Sequence, residues 1–127
     1  MELYKQLDAY QKAYSLAIEV YKQTRTMPRE ERYGITDQLR RAAMSVPANI
    51  AEGYARKATP QEYGRFLKMS LGSCNELKVW LDFCKDLELL PLTWCEQMYE
   101  GYCLVAKLIG GILRSLRQSP KPPTPNA

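Results

Sequence analysis

An all-α fold, specifically an antiparallel up-down-up-down four-helix bundle, is what the 127-residue sequence predicts on three observations. Apolar residues recur at steps of three and four along four long stretches, the strict alternation of a half-buried strand is missing, and short breaks join the stretches. Short connections between long amphipathic helices favour antiparallel neighbours. Each long helix then measures roughly 35–40 Å at 1.5 Å per residue.

In the first stretch Leu3, Leu7, Tyr10, Tyr14, Ala17, Tyr21 and Thr24 form a heptad-like inward seam. Ala9, Ala13, Leu16 and Val20 make a second row beside it, so the apolar surface is wider than one partner helix needs. "TMPREE" ends the helix, and Pro28 is placed to open the next turn. The second stretch, about Glu30 to Lys57, turns Ile35, Leu39, Ala42, Val46 and Ile50 inward, flanked by Ala43, Ala51 and Tyr54. Pro47 falls inside it and lacks the N–H that would bond the Ala43 carbonyl. Val46, Ile50 and Tyr54 nevertheless keep phase across the proline, which predicts one kinked helix. Ser45 and Asn49 are expected to satisfy groups that the proline frees.

"KATPQEY" marks a break and a restart. Thr59 is expected as N-cap, Pro60 as first helical residue and Glu62 as the capping-box carboxylate. The third stretch, about Pro60 to Leu89, carries Tyr63, Leu67, Ser70, Cys74, Leu77, Leu81 and Cys84 in heptad order, with Phe66, Met69, Trp80, Phe83 and Leu87 as a second row. "LLPLT" turns the chain. The fourth, about Thr93 to Arg117, carries Trp94, Met98, Tyr102, Val105, Ile109, Ile112 and Leu116, and Gly110-Gly111 is expected to admit a close backbone. Residues 1–118 thus form one bundle domain. "SPKPPTPNA", residues 119–127 with four prolines in nine, is expected to be a disordered tail.

Composition narrows the chemistry. There is no histidine, so Ser–His and Cys–His nucleophile pairs and Glu-x-x-His metal sites are excluded. Cys74, Cys84, Cys95 and Cys103 are spaced by ten, eleven and eight residues, unlike a zinc motif, and read as buried hydrophobes. Pairs such as Glu30 and Glu31 lie near helix ends and read as solvated surface. The expectation is a non-enzyme without metal, cofactor or small-molecule substrate. No uncharged run approaches the length needed to cross a bilayer, and the N-terminus is charged throughout, so a cytoplasmic location without membrane contact is expected.

Net charge is +4 and unevenly placed: residues 28–57 carry six basic against four acidic groups, residues 60–90 four against five. A monomer would hold nucleic acid weakly, whereas in an oligomer repeated modest patches merge into one strong field. Arg40 and Arg41 lie about 100° apart around a helix. One is expected to pair with Glu76 across the bundle, leaving the other on an outer face with Arg56 and Lys57.

"YGITDQLRRAAMSVPANIAEGYAR" (Tyr33–Arg56) followed by "EYGRFLKMSLGSCNELKVWL" (Glu62–Leu81) resembles the bacterial four-helix bundle family encoded in intervening sequences of large-subunit ribosomal RNA genes. The matching signature residues are Arg40, Arg41, Pro47, Asn49, Glu52, Gly53, Gly72, Ser73 and Glu76. That family is similar in turn to the accessory variability determinant of diversity-generating retroelements. The resemblance implies a homopentamer with a central pore, and binding of RNA or DNA beside a reverse transcriptase. Candidate phosphate contacts are Arg25, Arg29, Arg32, Arg40, Arg41, Arg56, Lys57, Arg65, Lys68, Arg114 and Arg117, with Lys121 in the tail. Tyr4 and Tyr33 are candidates for stacking on bases. The alternative is a protein-interaction adaptor that uses the wide apolar surface of the first helix and touches nucleic acid incidentally.

Overall fold

The computed structural model describes residues 3–32 and 34–118, and they fold into four long helices with no strand among them. Helix α1 spans Asp8–Thr24, α2 Ile35–Tyr54, α3 Pro60–Asp86 and α4 Leu92–Gln118. Short 3-10 turns at Leu3–Gln6 and Arg29–Glu31 precede α1 and α2. The expected start of the second helix near Glu30 is therefore too early, because the separate turn and Gly34 intervene. The tail assignment lies outside the described residues, as does Tyr33.

Helix α1 packs on α2 and α4, and α3 packs on the same two, which closes a four-cornered bundle. Ser45–Ser73 and Gly53–Tyr63 between α2 and α3, and Lys78–Tyr99 and Gly64–Leu113 between α3 and α4, run in opposite chain directions, so these sequential helices are antiparallel. One end of the bundle gathers the α1–α2 and α3–α4 turns; the other gathers the α2–α3 turn and the end of α4.

The core matches the expected row of the third helix in full: Tyr63, Leu67, Ser70, Cys74, Leu77, Leu81 and Cys84 are all buried. Leu39, Ala42, Val46 and Ile50 of α2 and Met98, Tyr102, Val105 and Ile109 of α4 face them. Helix α1 departs from expectation. Its small row, Ala9, Ala13, Leu16 and Val20, is buried, while Leu3, Tyr14 and Tyr21 of the supposed inward seam are exposed. Tyrosine suits a rim, where the ring packs and the hydroxyl stays wet.

Two glycines set how closely the helices approach. A Cβ on Gly53 would lie 3.0 Å from the Phe66 Cβ and 3.2 Å from the Tyr63 carbonyl oxygen, so α2 meets α3 here. A Cβ on Gly101 would lie 2.8 Å from the Leu16 Cδ2, so α4 meets α1 there. Gly110 and Gly111, the expected points of close approach, have only Arg114 of their own helix nearby. Gly72 faces open space.

Pro47 sits inside α2 without ending it. Asn49 Nδ2 donates to the Ser45 carbonyl and to Ser45 Oγ, both at 2.9 Å, so this pair bonds to each other rather than to the Ala43 carbonyl that the proline frees. Ser45 Oγ and Ser73 Oγ are 2.8 Å apart, and Ser70 Oγ donates to the Val46 carbonyl at 2.8 Å, tying α2 to α3. The expected capping box at Thr59 is not formed: the Thr59 side chain makes no cap bond, and Glu62 accepts from Arg65 Nε at 3.0 Å instead. Helix α3 closes through Glu88, at φ 55°, with Leu89 N–H on the Cys84 carbonyl and Glu88 N–H on the Lys85 carbonyl. This is the Schellman arrangement, with glutamate where glycine usually stands.

Candidate nucleic-acid interface

The basic residues are sorted by the bundle into two groups at opposite ends. At the α1–α2 end, Arg25, Arg29, Arg32 and Arg40 line a cavity of about 360 Å³ together with Thr24, Met27, Pro28 and Thr36. These residues are near in sequence, because a short turn folds them back on one another. Arg40 is half-buried and spans the two helices. Its Nε donates to Thr24 Oγ1 at 2.8 Å, its Nη2 reaches the Tyr21 carbonyl at 3.4 Å, and its guanidinium carbon lies 4.1 Å from the Tyr21 ring centroid. A cation at the last turn of α1 complements that helix's C-terminal dipole. Arg25 and Arg29 are exposed and take part in no ion pair among the described residues.

The expected pairing of Arg40 or Arg41 with Glu76 is corrected by this arrangement. Arg40 turns to α1, while Arg41 stands 3.8 Å from Asp37 with its side chain 74% exposed. Glu76 instead accepts from Trp80 Nε1 at 3.2 Å on its own helix. One arginine is thus held inside and one stands on the surface, but the inner partner is Thr24, which helical spacing alone does not point to.

At the opposite end, Arg65, Lys68, Arg114 and Arg117 line a groove of about 870 Å³ between the start of α3 and the end of α4. Met69, Leu71, Leu113 and Leu116 share it, so its walls are apolar and its charges cationic. Lys68, Arg114 and Arg117 make no ion pair among the described residues. Arg56 and Lys57, in the adjoining α2–α3 turn, are engaged locally. Arg56 Nη1 lies 2.6 Å from Glu52 and its guanidinium covers the Phe66 ring, while Lys57 Nζ bonds the Tyr54 hydroxyl at 3.0 Å. Exposed pairs of this kind add a few tenths of a kcal/mol, roughly.

Two further surfaces lie apart from the basic groups: the first uses the wide apolar surface of the first helix that the sequence pointed to, and the second was not singled out by it. Tyr10, Tyr14, Ile18, Tyr21, Met44 and Ala48 border an apolar groove of about 480 Å³ between α1 and α2. Asp82, Glu96 and Glu100, with Lys85, border a cavity of about 500 Å³ at the start of α4. The i, i+4 spacing of Glu96 and Glu100 was the available signal for the second. Tyr4, named as a base-stacking candidate, packs edge-on against Tyr10 at 5.0 Å.

Among the described residues no group of three or more acidic or cysteine side chains could hold a metal ion. Burial pushes the Cys74 thiol up to about 11 and the Cys84 thiol up to about 12, which keeps both protonated and unreactive near neutral pH. Cys103 is half-buried, less than the sequence suggested. Among the described residues no helix is long and apolar enough to cross a membrane.

Comparison with known proteins places this architecture. A family model described as "23S rRNA-intervening sequence protein" matches residues 5–111. A crystal structure of a protein of unknown function from the S23 ribosomal protein family of Bacteroides thetaiotaomicron superposes with a TM-score of 0.76 at 20% identity, covering 84% of this chain and 98% of that one. At that identity the likeness speaks for the fold. No curated protein matches the chain. With nearly all of the bundle inside the family match, this chain belongs to the 23S rRNA-intervening sequence protein family.

Proposed function

We propose that this chain is a non-enzymatic, oligomeric scaffold that binds nucleic acid, RNA or an RNA/DNA hybrid, through its two basic ends. The observation that carries the reading is the set of cations without carboxylate partners among the described residues: Arg25 and Arg29 at one end, Lys68, Arg114 and Arg117 at the other. Phosphate contacts of this kind give affinity without much sequence reading. A homopentamer, as the resemblance implies, is the assembly we favour, and in it repetition converts a modest +4 per chain into a strong field. The exposed Tyr14, Ile18, Tyr21 and Met44 on α1–α2, and Val79, Phe83 and Leu87 on α3 and its end, supply apolar faces for contact between copies. In the same proposal α2 bends at Pro47, with the Ser45, Asn49 and Ser70 bonds supporting the bend. A role beside a retroelement reverse transcriptase is the narrower form of this reading.

The test is binding of nuclease-treated protein to a structured RNA, titrated from about 50 to 200 mM salt, a range in which multi-phosphate binders lose several decades of affinity. Tight binding with a steep salt slope is the expected result. No binding at the lowest salt would remove nucleic acid from the reading. A protein-interaction adaptor is the second reading, favoured by the apolar α1–α2 groove. Docking there is expected to be nearly insensitive to salt.

A further inference from the structure

The arginine-lined cavity at the α1–α2 end differs in kind from a basic patch. It is concave, about 360 Å³, and draws its guanidinium groups from three successive elements: Arg25 just after α1, Arg29 and Arg32 around the 3-10 turn, and Arg40 from α2. Among the described residues no carboxylate lines it, although Glu30 and Glu31 belong to the same turn. Arg40 is held in place by Thr24 Oγ1 and the Tyr21 ring, with its Nη1 left outside those bonds. At its wall stands Thr36, 4% exposed, whose hydroxyl has no hydrogen-bond partner among the described residues. A buried hydroxyl without a partner is costly unless something supplies one.

We propose that this cavity is a phosphomonoester site, and that its ligand is the terminal phosphate of a nucleic acid strand. The inference rests on the nucleic-acid reading above and deepens it. A phosphodiester offers one charge and two free oxygens. A terminal monoester offers close to two charges at neutral pH and three acceptor oxygens. Those oxygens match the several guanidinium groups that line the cavity. The cavity is large enough for a phosphate and part of its sugar, and far too small for a duplex. The groove at the other end, longer and walled by Leu113, Leu116 and Met69, suits strand tracking instead.

The experiment compares two short single-stranded RNAs of one sequence, with a 5′-phosphate or a 5′-hydroxyl, against full-length protein at one salt concentration. The phosphorylated strand is expected to bind about tenfold tighter or more, the scale of a few charge-assisted hydrogen bonds. That preference is lost in the Arg25→Gln/Arg29→Gln variant and kept in Arg114→Gln/Arg117→Gln. Both of the first pair are exposed and outside any ion pair among the described residues, so their replacement leaves the fold intact. The preference also shrinks from about pH 7.5 to about pH 5, because the monoester takes up a proton near pH 6. Equal binding of the two RNAs overturns the site while leaving the scaffold reading standing. If neither RNA binds, the scaffold reading fails, and thermal unfolding in inorganic phosphate against chloride at equal ionic strength decides the cavity. A raised midpoint that Arg25→Gln/Arg29→Gln abolishes retains a phosphate site there; no shift overturns it. Stabilisation by inorganic phosphate without preference between RNAs overturns the strand-end assignment in favour of free phosphate.

Discussion

The cavity at the α1–α2 turn and the groove at the opposite end are each lined by four cationic side chains, and the helices beside them are held together by different forces. At the α1–α2 end, hydrogen bonds bridge the helices: Arg40 reaches Thr24 and Tyr21, and the chain leaves α3 through the left-handed Glu88. At the other end, close packing does the holding, with Gly53 letting α2 settle against Phe66 and Tyr63. The first end therefore has a polar, concave, arginine-lined surface. The second has an apolar groove with cations along it. An equal number of lining cations is compatible with different recognition, because concavity and the nature of the walls decide how many phosphate oxygens one cation set can reach.

The largest expected effect separates the ends in binding. For single-stranded RNA, Arg25→Gln/Arg29→Gln should lower the salt slope of log affinity by about 1.4, because each phosphate left unneutralised removes about 0.7. An unchanged slope would mean that the α1–α2 end does not touch phosphate. Next comes stability at that end. Arg40→Ala should cost about 2 kcal/mol in chemical denaturation, from its charge-assisted bonds and its packing on the Tyr21 ring. Arg25→Ala, with no such anchor, should stay within about 0.5 kcal/mol. Equal values for the two would erase the distinction between an anchored and an available arginine.

At the packed end, Gly53→Ala should destabilise by roughly 1–2 kcal/mol, because overpacking against Phe66 and the Tyr63 backbone outweighs the helix-propensity gain. Gly72→Ala, in open space, should instead stabilise the fold by up to about 1 kcal/mol. A Gly72→Ala protein that is stable but loses its assembly by light scattering would place a second copy against that face. A gain of similar size is expected at the α3–α4 turn. Glu88→Gly should raise stability by about 1 kcal/mol, since glycine takes positive φ without the Cβ clash. A decrease there would show that the Glu88 side chain does something its backbone does not reveal.

How far the sequence reached follows from these same residues. Helix α3 was legible because its apolar and small residues occupy one heptad row and polar residues most of the rest. Helix α1 was ambiguous because two adjacent rows both score as apolar. Tertiary spacing chose the alanine row, with α4 drawn close at Gly101, and left the tyrosines on the rim. The arginine cavity was partly legible, since its lining lies within residues 24–40 of one hairpin. What helical spacing could not supply was the identity of cross-helix partners. Thr24 beside Arg40 depends on how helices rotate against each other, whereas Trp80 beside Glu76 is an i, i+4 pair on one helix that spacing did offer. Glu88 was hidden for another reason: the usual signal for a left-handed turn is glycine, and none stands there.

The polar clasp between α2 and α3 has a mechanical consequence. Ser45 against Ser73, and Ser70 on the Val46 carbonyl, sit near the middle of the helix pair and act as a registration mark. Sliding one helix by a turn, about 5.4 Å, would break both cross-helix bonds at once. The pair can splay about this point, but it does not ratchet. Tension applied at one end is therefore not passed along the helices as an axial shift, and two ligands held at opposite ends should bind with affinities that simply add in free energy.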